Sequence, residues 1–284
     1  MNTAIYYIGA NGNIIDLFNN EYFDTTNIIG MTQTEVSVAT STTPQMDGDT
    51  VNSVQALPKA LTLEFTIKTG VEVETAKRYV LQTVKPKQKG RLRLVQGERT
   101  VEIEGIVGGF DMPRFTDRVV MQIPLHCSSS FWEDAEYIAV EISRLLDVHY
   151  FPEDESGLSL PADGVPFGEY DLNMTQVYTN DGDTDSGMLI TIIALAEVIN
   201  PTIYKSDGSY IGINDTLQAG DEVVINTKKG EKTIVKNGKS IFSKIKRGST
   251  FLQLETGDNS FTIDSDSNTE GNMYFTVSFK RRFV

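Results

Sequence analysis

The sequence predicts a mainly β protein of two β domains in tandem, the first a β-sandwich carrying one helix. Three observations predict it. Between Arg91 and Trp132, apolar and polar side chains alternate in three successive runs, the period of strands with one face in a core. Only one segment, Val73 to Val84, has apolar residues at helical spacing. After Trp132, short β-prone runs are split by turn signals about every 8–12 residues, the spacing of a sandwich or jelly roll.

The first domain reads as follows. Ala4–Ile8 and Ile14–Phe18 are apolar runs around Gly9-Ala10-Asn11-Gly12-Asn13, and the Asn-Gly pair favours a hairpin. Val36 and Val38 suggest a short strand. Ser41–Ser53 is polar and aperiodic and reads as a long exposed loop, of the kind that often serves binding or assembly. Leu61–Lys68 alternates without a break. The helix places Ala76, Tyr79, Val80 and Val84 on one face, and Pro86 stops it. A basic connector, Lys85–Gly90, follows. Arg91–Leu94, Val101–Glu104 and Met121–Cys127 are the three alternating strands. Ser128-Ser129-Ser130 then gives way to Phe131-Trp132 and an acidic patch, which sets domains at 1–130 and 131–284.

In the second domain Ile138, Val140 and Ile142 alternate, and 157–168 reads as loop around Pro161 and Pro166. Met188–Ile199 reads as a buried strand from its Ile, Val and Thr content, with Asn200-Pro201 as its stop. Val223–Ile225, Thr233–Val235, Phe251–Leu254, Phe261–Ile263 and Tyr274–Phe279 are further short strands. Lys228–Gly230, Asn237-Gly238 and Gly257–Asn259 are the turns.

With 284 residues, 39% hydrophobic residues, 14 Phe and 11 Tyr, the chain can bury two cores. A single Cys excludes an internal disulfide framework. Cys127 reads as a buried structural thiol, and His126, its neighbour in the strand, points to the opposite face. The segment Met1–Ile8 lacks the basic region of a secretory signal. The longest apolar run, Met188–Ile199, is broken by Thr191 and Glu197 and is too short to span a bilayer. Synthesis and retention in the cytoplasm are expected. The net charge of −14 is uneven. Residues 131–220 carry 2 basic and 17 acidic residues, whereas 221–284 carry 11 basic and 8 acidic. The acidic stretch would repel nucleic acid, and a solvated surface explains it.

Chemistry-bearing constellations are few. There is no G-x-S-x-G, phosphate-binding loop, G-x-G-x-x-G or H-E-x-x-H. The only histidines are His126 and His149. Asp181, Asp183 and Asp185 alternate like the front of a calcium loop, but Ser186 and Ile192 stand where the turn Gly and bidentate Glu belong. Turn formation explains that string. Glu153, Asp154 and Glu155 are loop neighbours and cannot flank one glycosidic bond. Trp132, Tyr170, Tyr178, Tyr204 and Tyr210 could line a saccharide-binding face, but most of them are expected to pack in the core or at edges. No catalytic, cofactor-binding or metal residue is therefore expected, no cofactor, and no enzyme. A cell-wall hydrolase finds support only in the acidic stretch.

The order of elements resembles the distal tail protein family of long-tailed phages infecting Gram-positive bacteria. The residues that carry it are Leu61–Lys68, the helix Val73–Val84, Arg91–Leu94, Arg99–Gly105, and the closing strand Val119 to Trp132. Family members end that strand with Cys, a polar residue and Pro-aromatic-Trp; here Cys127 and Phe131-Trp132 fit and Ser128–Ser130 replaces the Pro. The part from Ile199 through Asn237-Gly238 to the final strand resembles that family's galectin-like sandwich. The resemblance implies a structural virion protein whose first domains form a hexameric ring at the tail tip. The ring would join tail tube protein to tail-tip hub protein, with DNA passing through its lumen. The second domains would hold receptor-binding or baseplate proteins, and assembly would occur in the host cytoplasm. The alternative is a carbohydrate-binding module recognising cell-wall saccharides.

Overall fold

A computed structural model describes residues 3–32, 34–43, 47–111, 119–141, 144–146, 169–171, 175–267 and 269–284. His149, Glu153, Asp154, Glu155 and the expected loop at 157–168 lie outside the described residues. The chain is mainly β and divides into two units, residues 1–136 with 282–284, and residues 137–281. The first unit thus runs past the boundary at 130 read from the sequence and takes Trp132 with it.

Unit 1 holds β1 (Thr3–Gly9), β2 (Ile14–Asp16), β3 (Phe23–Ile29), β4 (Val36–Thr42), β5 (Asp49–Ala56), β6 (Ala60–Ile67), α1 (Val73–Thr83), β7 (Lys89–Gln96), β8 (Arg99–Val107), β9 (Val120–Cys127) and β10 (Trp132–Asp134). The main sheet runs β2-β1-β7-β8-β9-β6-β3, every neighbour antiparallel. Local chemistry sets its turns. Gly12 has φ +80° in the β1–β2 turn, where the Asn11 carboxamide oxygen accepts from the Asn13 N–H at 3.1 Å. Gly97, at φ +63°, opens the two-residue turn that brings Gln96 opposite Arg99.

Alternation delivers the core. Leu61, Leu63 and Phe65 of β6, Met121, Ile123 and Leu125 of β9, Leu92 and Leu94 of β7, and Ile5 and Tyr7 of β1 share one buried cluster. Helix α1 buries Ala76 and Val80, and Val84 at its end, while Tyr79 stacks on Tyr22 at 4.3 Å. On the other face of β7 and β8, Arg93 and Arg91 meet the buried Glu102 at 2.5 and 3.2 Å, and Lys89 meets Glu104 at 2.8 Å. These cross-strand pairs fix the register of the hairpin.

Unit 2 holds β11 (Ile138–Glu141), β12 (Arg144–Leu146), β13 (Glu169–Asp171), β14 (Thr175–Asn180), β15 (Met188–Ala194), β16 (Val198–Lys205), β17 (Tyr210–Gly212), β18 (Thr216–Leu217), β19 (Glu222–Asn226), β20 (Thr233–Lys236), β21 (Lys239–Ser240), β22 (Gly257–Asp266) and β23 (Met273–Phe279). One sheet runs β11-β23-β15-β19-β20-β21, the other β14-β22-β16-β17 with β18 on β16. Met188, Ile190, Ile192, Phe275 and Val277 from the first meet Tyr178, Ile203, Phe261 and Ile263 from the second in one core. That is a β-sandwich. A short pair, β12–β13, stands apart. The chain then returns to unit 1 as β24 (Arg282–Phe283), which pairs with β10.

Three sequence expectations are corrected. The loop expected at 41–53 supplies much of a hairpin, β4–β5, with Thr42 opposite Asp49. The run Met188–Ile199 is two strands rather than one: it leaves the first sheet after Ala194 and enters the second at Val198. Asn200-Pro201 is not a stop but lies inside β16, at a register shift between Ile199 and Thr202. Pro lacks the ladder donor and so belongs at a bulge, and Asn200 takes φ +52°, a left-handed conformation Asn tolerates.

Candidate assembly surface

The hairpin β4–β5 pairs with no other strand among the described residues. Val36 faces Ala56 and Val38 faces Val54 across it. A register shift between Ala39 and Thr40 sets Val51 opposite Thr40, which returns Val51 to the face of Val38. Val36, Val38, Val51 and Val54 are 52–63% exposed. This β-branched face rests on no core. Neither outer edge pairs with another strand among the described residues, and residues 36–56 contain no Lys or Arg. Natural proteins usually guard such edges with charge or cover. An exposed valine strip of this kind is a candidate interaction surface.

The hairpin's root is held firmly. Gly30 precedes it at φ +84°, where a Cβ would collide with the Ala60 carbonyl oxygen. The Leu57 N–H donates to the Glu35 carbonyl at 2.8 Å, joining the two legs. The Met31 carbonyl accepts from both the Lys59 ammonium and the Trp132 indole N–H, each at 3.2 Å. The Ser130 hydroxyl donates to the Ala56 carbonyl at 3.2 Å, and the Lys59 N–H to the Ser129 carbonyl at 3.1 Å. Lys59 is buried, and desolvation pushes its ammonium below the usual lysine range, opposed by the nearby Cys127. Val36 and Val38 gave a strand signal in the sequence, whereas Val51 and Val54, in the stretch read as loop, gave none.

The residues singled out from sequence fall as follows. Cys127 is buried in the unit 1 core, and desolvation pushes its thiol up to about 11, opposed by Lys59. It is inert as a nucleophile at neutral pH. His126 lies on the exposed face. Asp181 is held by the Arg281 guanidinium, with 3.0 Å to each carboxylate oxygen. No group of three or more His, Cys, Asp or Glu able to hold a metal ion occurs among the described residues. No helix among them is long and apolar enough to cross a membrane.

The supposed saccharide face is dispersed. Trp132 is buried in unit 1, and Tyr178 is buried in unit 2 with its ring edge-on to Phe261 at 5.6 Å. Burial pushes the Tyr178 phenol well above the usual tyrosine range. Tyr170 lies in a described strand, but its side chain is outside the described set. Only Tyr204 and Tyr210 come together, 5.5 Å apart, with the Tyr210 hydroxyl donating to the Arg247 carbonyl at 2.7 Å. Alternation hides inward aromatics in strands as readily as it displays outward ones, so sequence could not sort these five.

Residues 181–283 match the family described as siphovirus-type tail component, C-terminal domain. The crystal structure of the Dit protein of phage SPP1, called a paradigm of the hub adsorption apparatus in phages infecting Gram-positive bacteria, superposes with a TM-score of 0.67. Identity is 12%, over 100% of this chain and 100% of that chain. A chain of the phage P2 baseplate in its activated conformation with Ca superposes with a TM-score of 0.50 at 11% identity, again over 100% of both chains. These likenesses are of fold. Comparison with curated protein sequences returns no match.

Proposed function

We propose that this chain, whose residues 181–283 match the siphovirus-type tail component C-terminal domain and whose fold is similar to that of a Dit protein, is a structural, non-enzymatic part of a phage tail. It forms a hexameric ring at the tail tip, assembled in the host cytoplasm. Unit 1 builds the ring, and the observation that carries this is the valine-faced, unpaired hairpin β4–β5. A copy that lays this hairpin against its neighbour buries four exposed valines and satisfies an open strand edge in one step. Closed symmetry repeats that contact until no edge remains. One ring face meets tail tube protein and the other tail-tip hub protein, with DNA passing through the lumen. Unit 2 carries receptor-binding or baseplate proteins outward.

Negative-stain imaging of the purified protein, alone and with tail tube protein, tests this. Rings are expected. A strictly monomeric species that caps no tube would overturn it. The alternative, a saccharide-binding second unit, rests on the Tyr204–Tyr210 pair alone. A calorimetric signal with cell-wall saccharides that disappears in Tyr204→Ala would favour it.

A further inference from the structure

We propose that β24 is a completion latch: it holds the root of the β4–β5 hairpin, so the arm reaches its assembly pose only after unit 2 has been made. This inference rests on the assembly reading above for its consequence, but not for its geometry.

The latch lies wholly within unit 1. Phe283 pairs with Trp132, and Arg282 with Glu133, across β24 and β10. Phe283 is 6% exposed and belongs to the unit 1 core. The Arg99 guanidinium lies 3.3 Å from the centre of its ring, and that of Arg282 lies 4.6 Å from the centre of Phe131. Cation–π contacts on both sides of a two-residue strand hold it more firmly than its two ladder pairs would.

What β24 holds is the segment that holds the arm. Trp132 pairs with Phe283 through its backbone and donates its indole N–H to Met31, at the entry to the hairpin. Ser130 holds Ala56, at the exit, and Ser129 holds Lys59 beyond it. Residues 129–132 therefore join both legs of the arm to the strand that returns from unit 2. Take β24 away and, among the described strands, β10 still pairs with β8 alone, through Glu133 and Asp134. Its other edge opens beside Trp132.

Chain order adds the second element. Residues 137–281 separate β10 from β24. Synthesis cannot supply Phe283 until all of unit 2 has emerged, whereas the hairpin and its valines emerge early. A sticky arm exposed early is an aggregation hazard. Making its root depend on a strand beyond unit 2 withholds the docking pose from unfinished or truncated chains.

The test compares the full chain with a version lacking residues 282–284, with Phe283→Ala and with Trp132→Phe. Hydrogen exchange is measured at dilution and assembly by light scattering. Trp132→Phe keeps an apolar ring but removes the bond to Met31, so it remains informative if the harsher variants fold poorly. Deletion and Phe283→Ala should speed exchange of the amides of 28–32, 34, 56, 57, 59 and 60 on the order of a hundredfold. Trp132 emission, the chain's only tryptophan signal, should shift to the red. Trp132→Phe should speed the same amides by roughly fivefold. Assembly should fail or need at least about tenfold more protein, while unit 2 amides stay unchanged. Unchanged root exchange, or acceleration spread evenly over unit 1, would overturn the latch. Wild-type chains that stay monomeric while the root loosens on deletion would instead overturn the assembly reading.

Discussion

Asp221 is held by three donors at once. Its Oδ2 accepts from the Gln218 N–H and from the Lys236 ammonium, each at 2.8 Å, and its Oδ1 from the Asn237 carboxamide at 2.7 Å. The Gln218 N–H leads, followed by Lys236 and Asn237, in holding the carboxyl at about 2 against an ordinary 3.8. A carboxyl depressed in the folded state stabilises above its unfolded value and loses that contribution as pH falls through its folded one. Wild-type unit 2 should therefore lose thermal stability relative to Asp221→Asn between about pH 4 and pH 2. A wild-type-minus-variant difference that stays flat with pH would refute this. Gly90 makes a different kind of demand. The Tyr7 hydroxyl end lies where its Cβ would stand, and Tyr7 is 1% exposed, so the ring cannot yield freely. Gly90→Ala should destabilise unit 1 by about 1–3 kcal/mol, read by chemical denaturation; a neutral effect would refute the contact. At this scale the sequence was legible where alternation ruled. Cys127 inward and His126 outward follow from strand geometry alone. Lys59 was not legible, because nothing nearby in sequence marks a lysine whose ammonium reaches a backbone carbonyl 28 residues away.

Strands with one buried face announce themselves, and β6, β7, β8, β9 and α1 lie within a few residues of their expected bounds. Of the hairpin β4–β5 only Val36 and Val38 gave a strand signal; the rest did not, because neither face meets the core and no sustained apolar-polar alternation is imposed on it. Polarity there looked like loop. Met188–Ile199 failed for the opposite reason. Two strands of different sheets both carry core residues, and only the exposed Leu195 and neighbouring Glu197 mark the crossing. The hairpin's exposure makes a clean prediction about the arm. Replacing both Val38 and Val54 by Asp should leave unit 1's unfolding free energy within about 0.5 kcal/mol of wild type, since exposed positions contribute little. The same pair should abolish self-association. Loss of stability measured by denaturation would mean that these valines pack within their own chain.

Two β units were legible in the whole molecule from turn spacing and from the change in composition near residue 130. The return of the chain was not: Arg282–Phe283 is two residues long, too short for any periodic signal, yet it places Phe283 in the core of unit 1. That return also explains why Trp132 belongs with the first unit, since its strand needs both β8 and β24. Charge is divided as unevenly as structure. The acidic residues concentrate in 131–220, whereas 1–130 holds 12 basic and 14 acidic residues and is nearly neutral. Near-neutrality would suit the proposed ring, in which copies of this unit lie side by side without strong mutual repulsion. The most direct measurement is therefore the mass in solution of the wild-type chain beside the Val38→Asp, Val54→Asp double variant, by multi-angle light scattering at micromolar concentration. The account predicts about six chain masses for the wild type and one for the variant. Identical masses for the two proteins would contradict it.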